Sequence, residues 1–415
     1  MTFIPPSFRS RIPPARSLEL AATVFLWQAS IGIFMLTLVQ KYLTQQLDAS
    51  AAFPGYALAS YSAARFLWQP PAGWLADKFG RRLVIAIGIA TGIPILGMMM
   101  LLPSANLFLV FSGLYGLSAA TMWPAFLAHV GDTHEPARRG RVLFCLNVAQ
   151  MLGLGAGVFI GVMLGDLVSY TAVFLACLAF NGLALVVALR RRDAPVFEDA
   201  AQERKGEGVE ISALRAMFKP GILILGAIIL FLSLGIAVQT PAIGTYAQQV
   251  LHVQMHQMAL LLILPASVAA VLALRFSHLA DRFGRQLPLL VGLAITALCL
   301  FALTLTRSPF IAVNLAVLAG LAYAVSVPAW SAAALDATQV HSRGALLGAL
   351  AAVQGLGGAL GQAAGGQVSE MYGPVAPFKF AAIFLGVAIL LTLVHVQHQR
   401  TQRDPLEVAV REPEL

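Results

Sequence analysis

Charge is scarce in this chain of 415 residues. Asp, Glu, Lys and Arg make up 11% of it, hydrophobic residues make up 59%, and the mean hydropathy is +0.80. Soluble globular domains carry about one-quarter charged residues, so this balance excludes ordinary water-soluble enzymes and nucleic-acid modules. Cysteine is equally sparse. The three present, Cys145, Cys177 and Cys299, lie in apolar runs without metal-ligand spacing or the even-numbered framework of a disulfide-stapled domain. They read as packing residues. The Gly-rich Lys phosphate loop, the HExxH zinc motif and the GxSxG hydrolase elbow are missing as well, so nothing marks nucleotide hydrolysis or hydrolase chemistry. The chain does not read as an enzyme, and it implies no cofactor or metal.

What is present is a series of twelve apolar runs. They cover 18–40, 52–72, 83–102, 105–128, 141–165 and 168–189, then 220–247, 256–276, 287–306, 308–332, 343–367 and 375–396. A helical span needs about 20 apolar residues, and within lipid each peptide group must bond inside its own segment. Twelve transmembrane helices follow. Arg9, Arg11 and Arg16 precede the first run without a clear cleavage site, so it reads as a retained helix rather than a removed leader.

The formal net charge is +8, from 27 Lys and Arg against 19 Asp and Glu, and its distribution is topological. If both termini are cytoplasmic, all but four of the 27 basic residues fall in cytoplasmic loops, tails or helix ends; the exceptions are Lys41, Arg307, Lys379 and, inside a span, Arg65. That is the positive-inside asymmetry of a multi-pass protein of the inner (plasma) membrane. No nucleic-acid partner is implied. The connection 191–219, rich in Arg, Glu and Gly, reads as a cytoplasmic linker between an N-terminal bundle (1–190) and a C-terminal bundle (220–396), with 397–415 a cytoplasmic tail.

An internal repeat supports that division. At a constant offset of 204 residues, LADKFGR (Leu75 to Arg81) falls on LADRFGR (Leu279 to Arg285). The same offset aligns Pro124 with Pro328, Asp132 with Asp336, Arg139 and Gly140 with Arg343 and Gly344, and Gln150 with Gln354. It also aligns Gly153, Gly157 and Gly161 with Gly357, Gly361 and Gly365. Composition bias does not hold one offset over such a length, so two related halves of six helices are expected.

The loop GWLADKFGRR, Gly73 to Arg82, and its copy SHLADRFGRQ, Ser277 to Gln286, carry the clearest motif. Gly73 and Gly80 permit a tight turn, and Asp77 can accept charge-assisted hydrogen bonds from a neighbouring Arg. Here the sequence resembles the major facilitator superfamily. The first copy matches that superfamily's GxLADxxGRR/K signature at every defined position, whereas the second has Ser277 for the opening Gly and Gln286 for the final basic residue. The resemblance covers nearly the whole chain. It implies an all-α membrane protein with twelve transmembrane helices in two pseudo-symmetric six-helix bundles, the major facilitator fold. It also implies that Gly73, Asp77, Gly80, Arg81, Arg82, Asp281, Gly284 and Arg285 act in a conformational latch. Asp132, Arg139, Asp336 and Arg343 are candidates for a second cytoplasmic charge network.

Spans 5 and 11 contain GLGAGVFIG, Gly153 to Gly161, and GLGGALGQAAGG, Gly355 to Gly366. Glycine at four-residue spacing clears one helical face for close packing. Both segments resemble the antiporter signature of drug exporters, but Val158 and Gln362 stand where that signature has proline. Span 4 departs too: Ser112 occupies the position of the arginine associated with proton coupling.

Arg65 lies twelve residues before Asp77, which at about 1.5 Å per residue places it roughly 18 Å from the loop, near midmembrane. An ionised guanidinium at that depth needs water, a carboxylate or an anionic ligand, so Arg65 is a substrate, coupling or gating candidate. No carboxylate is central in any span; Asp48, Asp166 and Glu370 fall near external ends. Trp27, Gln28, Tyr115, Trp123, Gln239, Tyr246, Asn314, Tyr323 and Trp330 lie on spans that line the central cavity in the resembling family. Gln150 and Gln354 add a repeat-related pair. Amides and aromatics together suit an amphipathic organic solute. His252 and His256 share helical spacing without a third ligand or acidic cluster nearby.

The resulting expectation is an alternating-access secondary transporter of small amphipathic organic solutes, working in efflux and resembling the bacterial multidrug or small-organic-solute branch. Coupling to a proton or counter-solute gradient and function as a monomer among membrane lipids accompany it. The alternatives are a facilitator or exchanger of sugars or organic anions, and a nontransporting lipid-interaction protein.

Overall fold

The structure, a computed structural model, describes residues 15–133, 136–190, 220–254, 256–261, 286–336 and 343–402. Every regular element among them is helical, the arrangement that satisfies backbone polar groups inside hydrocarbon without a partner strand. Helix α1, Ala15–Gly32, continues as a π-helical stretch, Ile33–Tyr42, and ends in the turn Leu43–Gln45. Helix α2, Phe53–Phe79, and α3, Arg81–Leu101, are separated by Gly80 alone. Its φ of +91° is one that a side chain disfavours. There follow α4 (Ala105–Ala120), α5 (Met122–Thr133), α6 (Pro136–Leu167) and α7 (Tyr170–Arg190). The later helices are α8 (Pro220–Val238), α9 (Ile243–Gln249), α10 (Gln286–Leu303), α11 (Pro309–Asp336), α12 (Arg343–Tyr372) and α13 (Ala376–Gln402).

Seven stretches among the described residues are long and apolar enough to cross a bilayer, and Leu289–Leu303 and Pro309–Tyr323 are shorter apolar helices. The chain is therefore a multi-pass, all-α membrane protein, with fewer qualifying spans than the twelve expected. Of the five expected spans that do not qualify, the ninth and tenth are those two shorter helices among the described residues, and the other three have separate causes. Most of the expected eighth span lies in 262–285, outside the described residues. Helix α2 carries Arg65, Gln69, Pro70 and Pro71, and α12 is rich in glycine and glutamine, so each is long but only weakly hydropathic.

The chain divides into two compact units, Met1–Glu207 with Gln254–Ala259, and Gly208–Val253 with Leu260–Leu415. In the first, α1 packs on α6 and α7, α2 on α4, and α3 on α7. In the second, α8 packs on α12 and α13, and α10 on α11 and α13. The glycine-rich helices are close-packing elements, as their spacing predicts. A Cβ on Gly157 of α6 would stand 1.9 Å from the Ala29 carbonyl oxygen of α1, and one on Gly365 of α12 would stand 1.9 Å from that of Val238 in α8.

Tertiary detail extends the repeat beyond what the sequence alignment brought out. Tyr42 meets Phe174 with ring centroids 5.1 Å apart in the first unit, and at the same 204-residue offset Tyr246 meets Phe378 at 4.7 Å in the second. Asp48 and His252, another pair at that offset, are the two positive-φ residues other than glycine among those described. The core of the first unit gathers Phe34 against Tyr61, Phe108 and Tyr115, with centroids 5.6, 6.2 and 4.9 Å away.

Candidate functional site

The loop motif builds a charged corner. Helix α2 ends at Phe79 and α3 begins at Arg81, so the turn at Gly80 sets Asp77 and Arg81 four residues apart across it, and they form an ion pair. Asp77 is exposed and the Arg81 side chain is largely covered. Arg82 Nη2 donates to the Leu189 carbonyl oxygen at 2.5 Å, placing a cation on the last turn of α7, where the helix dipole is negative. Lys78 Nζ lies 4.9 Å from the Trp74 ring centroid. Gly73 has no atom within 4 Å of an added Cβ. Asp132, Arg139, Asp336 and Arg343 occupy helical backbone, but their side chains, like all of Asp281, Gly284 and Arg285, lie outside the described residues.

Arg65 is half-buried in the middle of α2 and has no carboxylate partner among the described residues. Tyr61, one turn earlier, is fully buried and near enough to interact with the guanidinium electrostatically. A cation so placed can neutralise an anionic group that reaches it.

The aromatic and amide candidates divide. Tyr115 is buried in the helix core, where Asn181 Nδ2 donates to Ser30 Oγ at 2.9 Å and to the Tyr115 hydroxyl oxygen at 3.2 Å. Ser30 in turn donates to the Cys177 carbonyl at 3.1 Å. Its oxygen lies 3.1 Å from the Tyr115 hydroxyl, so the network ties α1, α4 and α7 together. Tyr246 is likewise buried and donates to the Leu303 carbonyl at 2.7 Å. Trp27 is buried beside Phe126, and Gln28 is buried nearby. Trp123, Gln150, Gln239 and Tyr323 are half-buried, whereas Gln354 and Asn314 are exposed, Asn314 donating to Phe310 in its own helix at 2.8 Å. The Trp330 side chain lies outside the described residues.

One cluster escaped the sequence reading. Asp166, near the end of α6, forms an ion pair through Oδ1 with Lys41 of the π-helical stretch, and the two side chains are only 4% and 3% exposed. Its Oδ2 accepts the His256 backbone N–H at 3.0 Å and faces His256 Nδ1 at 3.0 Å. The sequence offers His256 no acidic neighbour; the fold brings one from ninety residues away. The available signal was opposite charge at the same ends of spans 1 and 5. Among the described residues no group of three or more His, Cys, Asp or Glu is arranged to hold a metal.

Comparison with known proteins agrees with this architecture. The chain is 24% identical over 378 residues to the proton-coupled antiporter flippase LtaA of Staphylococcus saprophyticus, covering 88% of this chain and 92% of that one. It superposes on the nucleoside transporter NupG with a TM-score of 0.70 at 15% identity, covering 92% of this chain and 98% of that one. A bacterial homologue of the human lysosomal transporter Spinster, inward-facing and unoccupied, gives 0.71 at 16% identity, covering 95% and 100%. The Major Facilitator Superfamily model matches twice in succession, at residues 20–240 and 225–413. A match that accounts for both halves of the chain establishes that this protein is a transporter, not an enzyme, and belongs to the major facilitator superfamily.

Proposed function

We propose that this transporter moves small amphipathic organic solutes out of the cell by alternating access, through twelve spans arranged as two related halves. The observation that carries the solute class is Arg65, a half-buried cation in mid-helix without a carboxylate partner among the described residues. Such a charge favours an anionic headgroup, while the surrounding aromatic and apolar helices suit the rest of an amphiphile. The full-length relatives named as proton-coupled antiporter flippases support both an amphipathic cargo and coupling to a proton gradient. The corner of Asp77, Arg81 and Arg82 serves as a cytoplasmic latch whose ion pair and helix-end contact form in one state of the cycle and break in another. Gly80 gives that turn its freedom, whereas Gly73 lies inside α2 and does not shape the turn as the sequence led one to expect.

The test is flux in proteoliposomes. Anionic and neutral members of one amphiphile series are compared for the native chain and Arg65→Gln, with and without an imposed proton gradient. The native protein should prefer the anionic member, and Arg65→Gln should lose that preference by about tenfold or more, the scale of one lost charge-assisted contact. Equal handling of both series members by both proteins refutes the headgroup role.

A further inference from the structure

We propose that the recess between α10 and α13 is a resident-lipid site, which takes one acyl chain of an anionic phospholipid and sets its phosphate on Lys379. The recess encloses about 610 Å³, a volume within the range of small-ligand sites, about 300–1,000 Å³. Its lining includes Ala297, Leu298 and Phe301 of α10 and Lys379, Ala382 and Ile383 of α13, and Lys379 is the one lining residue with a polar side chain. Leu298, Phe301 and Ile383 are exposed, so in a bilayer hydrocarbon is the medium that meets them.

Depth and length match one leaflet. Tyr372 at the end of α12 and Lys379 in the first turn of α13 are both exposed beside the short connection at this end, and such side chains mark the headgroup level of a span. From Lys379 the lining reaches Ile389, ten residues along α13. That is about 15 Å of helix, or about half of the hydrocarbon core.

Two general rules disfavour a cation at this point. The basic residues of the chain concentrate at the opposite ends of the spans, as the positive-inside asymmetry requires, and the positive end of the α13 dipole lies against the ammonium. No acidic residue occupies the first turn of α13, and Lys379 makes no ion pair among the described residues. A phosphate here supplies the opposite charge and stays at the interface while its chain enters the recess. A net anionic headgroup fits better than a zwitterionic one, whose own cation competes with the lysine.

The repeat supplies an internal comparison. At the 204-residue offset, Leu175 stands for Lys379, Ile93 and Leu178 for Ala297 and Ala382, and Pro94 and Gly97 for Leu298 and Phe301. The corresponding helices α3 and α7 pack together as α10 and α13 do. The helix pairing therefore requires neither the cation nor the combination of two half-buried alanines with large exposed neighbours. Both walls belong to the second unit, so the recess persists while halves rock against each other, which suits a resident lipid rather than a cargo.

The experiment is native mass spectrometry of the full chain released from micelles after titration with phosphatidylglycerol or phosphatidylcholine of the same acyl chains. The native protein should bind its first phosphatidylglycerol about tenfold more tightly, the scale of one charge-assisted contact. Lys379→Gln should lose that preference, and Lys379→Arg should keep it. Ala297→Phe and Ala382→Phe fill the recess and should weaken binding of both lipids. Glycerol phosphate, which carries the anion without the chain, should not compete, and Arg65→Gln should leave the preference intact, separating this site from cargo recognition. An unchanged preference in Lys379→Gln, or unchanged binding in both filled variants, overturns the proposal. So does a spectrum in which two copies pair and exclude the lipid. Lys379 is exposed, so Lys379→Gln should melt as the native chain does in lipid-free micelles, which separates lost binding from lost folding.

Discussion

Replacing Gly157 by alanine tests whether α1 and α6 depend on backbone contact. The new methyl carbon would lie 1.9 Å from the Ala29 carbonyl oxygen and 2.6 Å from its carbon. Real side-chain carbons essentially never come within 3.0 Å of such atoms, so the helices must part by about 1 Å or more. The obstacle is main chain, which cannot rotate aside as a flexible side chain would. Overpacking of this kind costs about 1–3 kcal/mol. Gly155, two residues earlier on the same helix, is exposed with nothing within 4 Å of an added Cβ. Its replacement by alanine removes only the helix penalty of glycine, a gain of up to about 1 kcal/mol. The helix gain applies to both substitutions and cancels, so the two single-methyl variants should differ by about 1–3 kcal/mol, with Gly157→Ala the less stable. Denaturant titration in mixed micelles measures that difference, and Gly365→Ala against Gly358→Ala repeats it in the second unit, where the first meets the Val238 carbonyl and the second meets nothing. Equal stability of Gly157→Ala and Gly155→Ala would refute the close-approach argument.

Asn181→Leu deprives Ser30 and Tyr115 of a shared donor and should cost about 1–3 kcal/mol by the same titration. Adding Tyr115→Phe and Ser30→Ala should recover part of that loss, because no buried polar atom is then left without a partner; fully additive losses would contradict a cooperative network. Asp77→Asn removes an exposed ion pair worth less than about 1 kcal/mol, so folding should be nearly unchanged while the populations of transport states shift. Pulsed electron–electron distance measurements between labels at the α2–α3 corner and in the second unit read those populations, and an unaltered distribution would exclude the latch.

The helical membrane architecture was legible because hydropathy and length report the solvent directly, and the glycine spacing identified α6 and α12 as packing helices. The corner at Gly80 was legible because a short loop keeps its partners local. Less could be read where the deciding neighbour is distant. Tyr115 and Tyr246 looked like cavity aromatics, yet both hydroxyls bond inside a helix core; helices hydrophobic on all sides carry no stripe to separate a core face from other faces. Asp166 looked like an external end residue for a related reason: neither Lys41 nor His256 is near it in sequence. The shared turn conformation at Asp48 and His252 has no residue-type signature, since one position is acidic and the other imidazole.

The wide turns of Ile33–Tyr42 give the first helix a surplus of residues for its length, because an i→i+5 ring takes in one more residue per turn than an α turn. Loss of a residue inside that stretch reverts the ladder to ordinary α geometry and leaves both flanks facing as before. Loss of one from Ala15–Gly32 instead turns everything beyond it by about 100°. Ile33–Tyr42 is thus the part of the first helix in which a lost residue leaves the flanking turns in register, at the expense of the contacts that Phe34, Lys41 and Tyr42 make from within it.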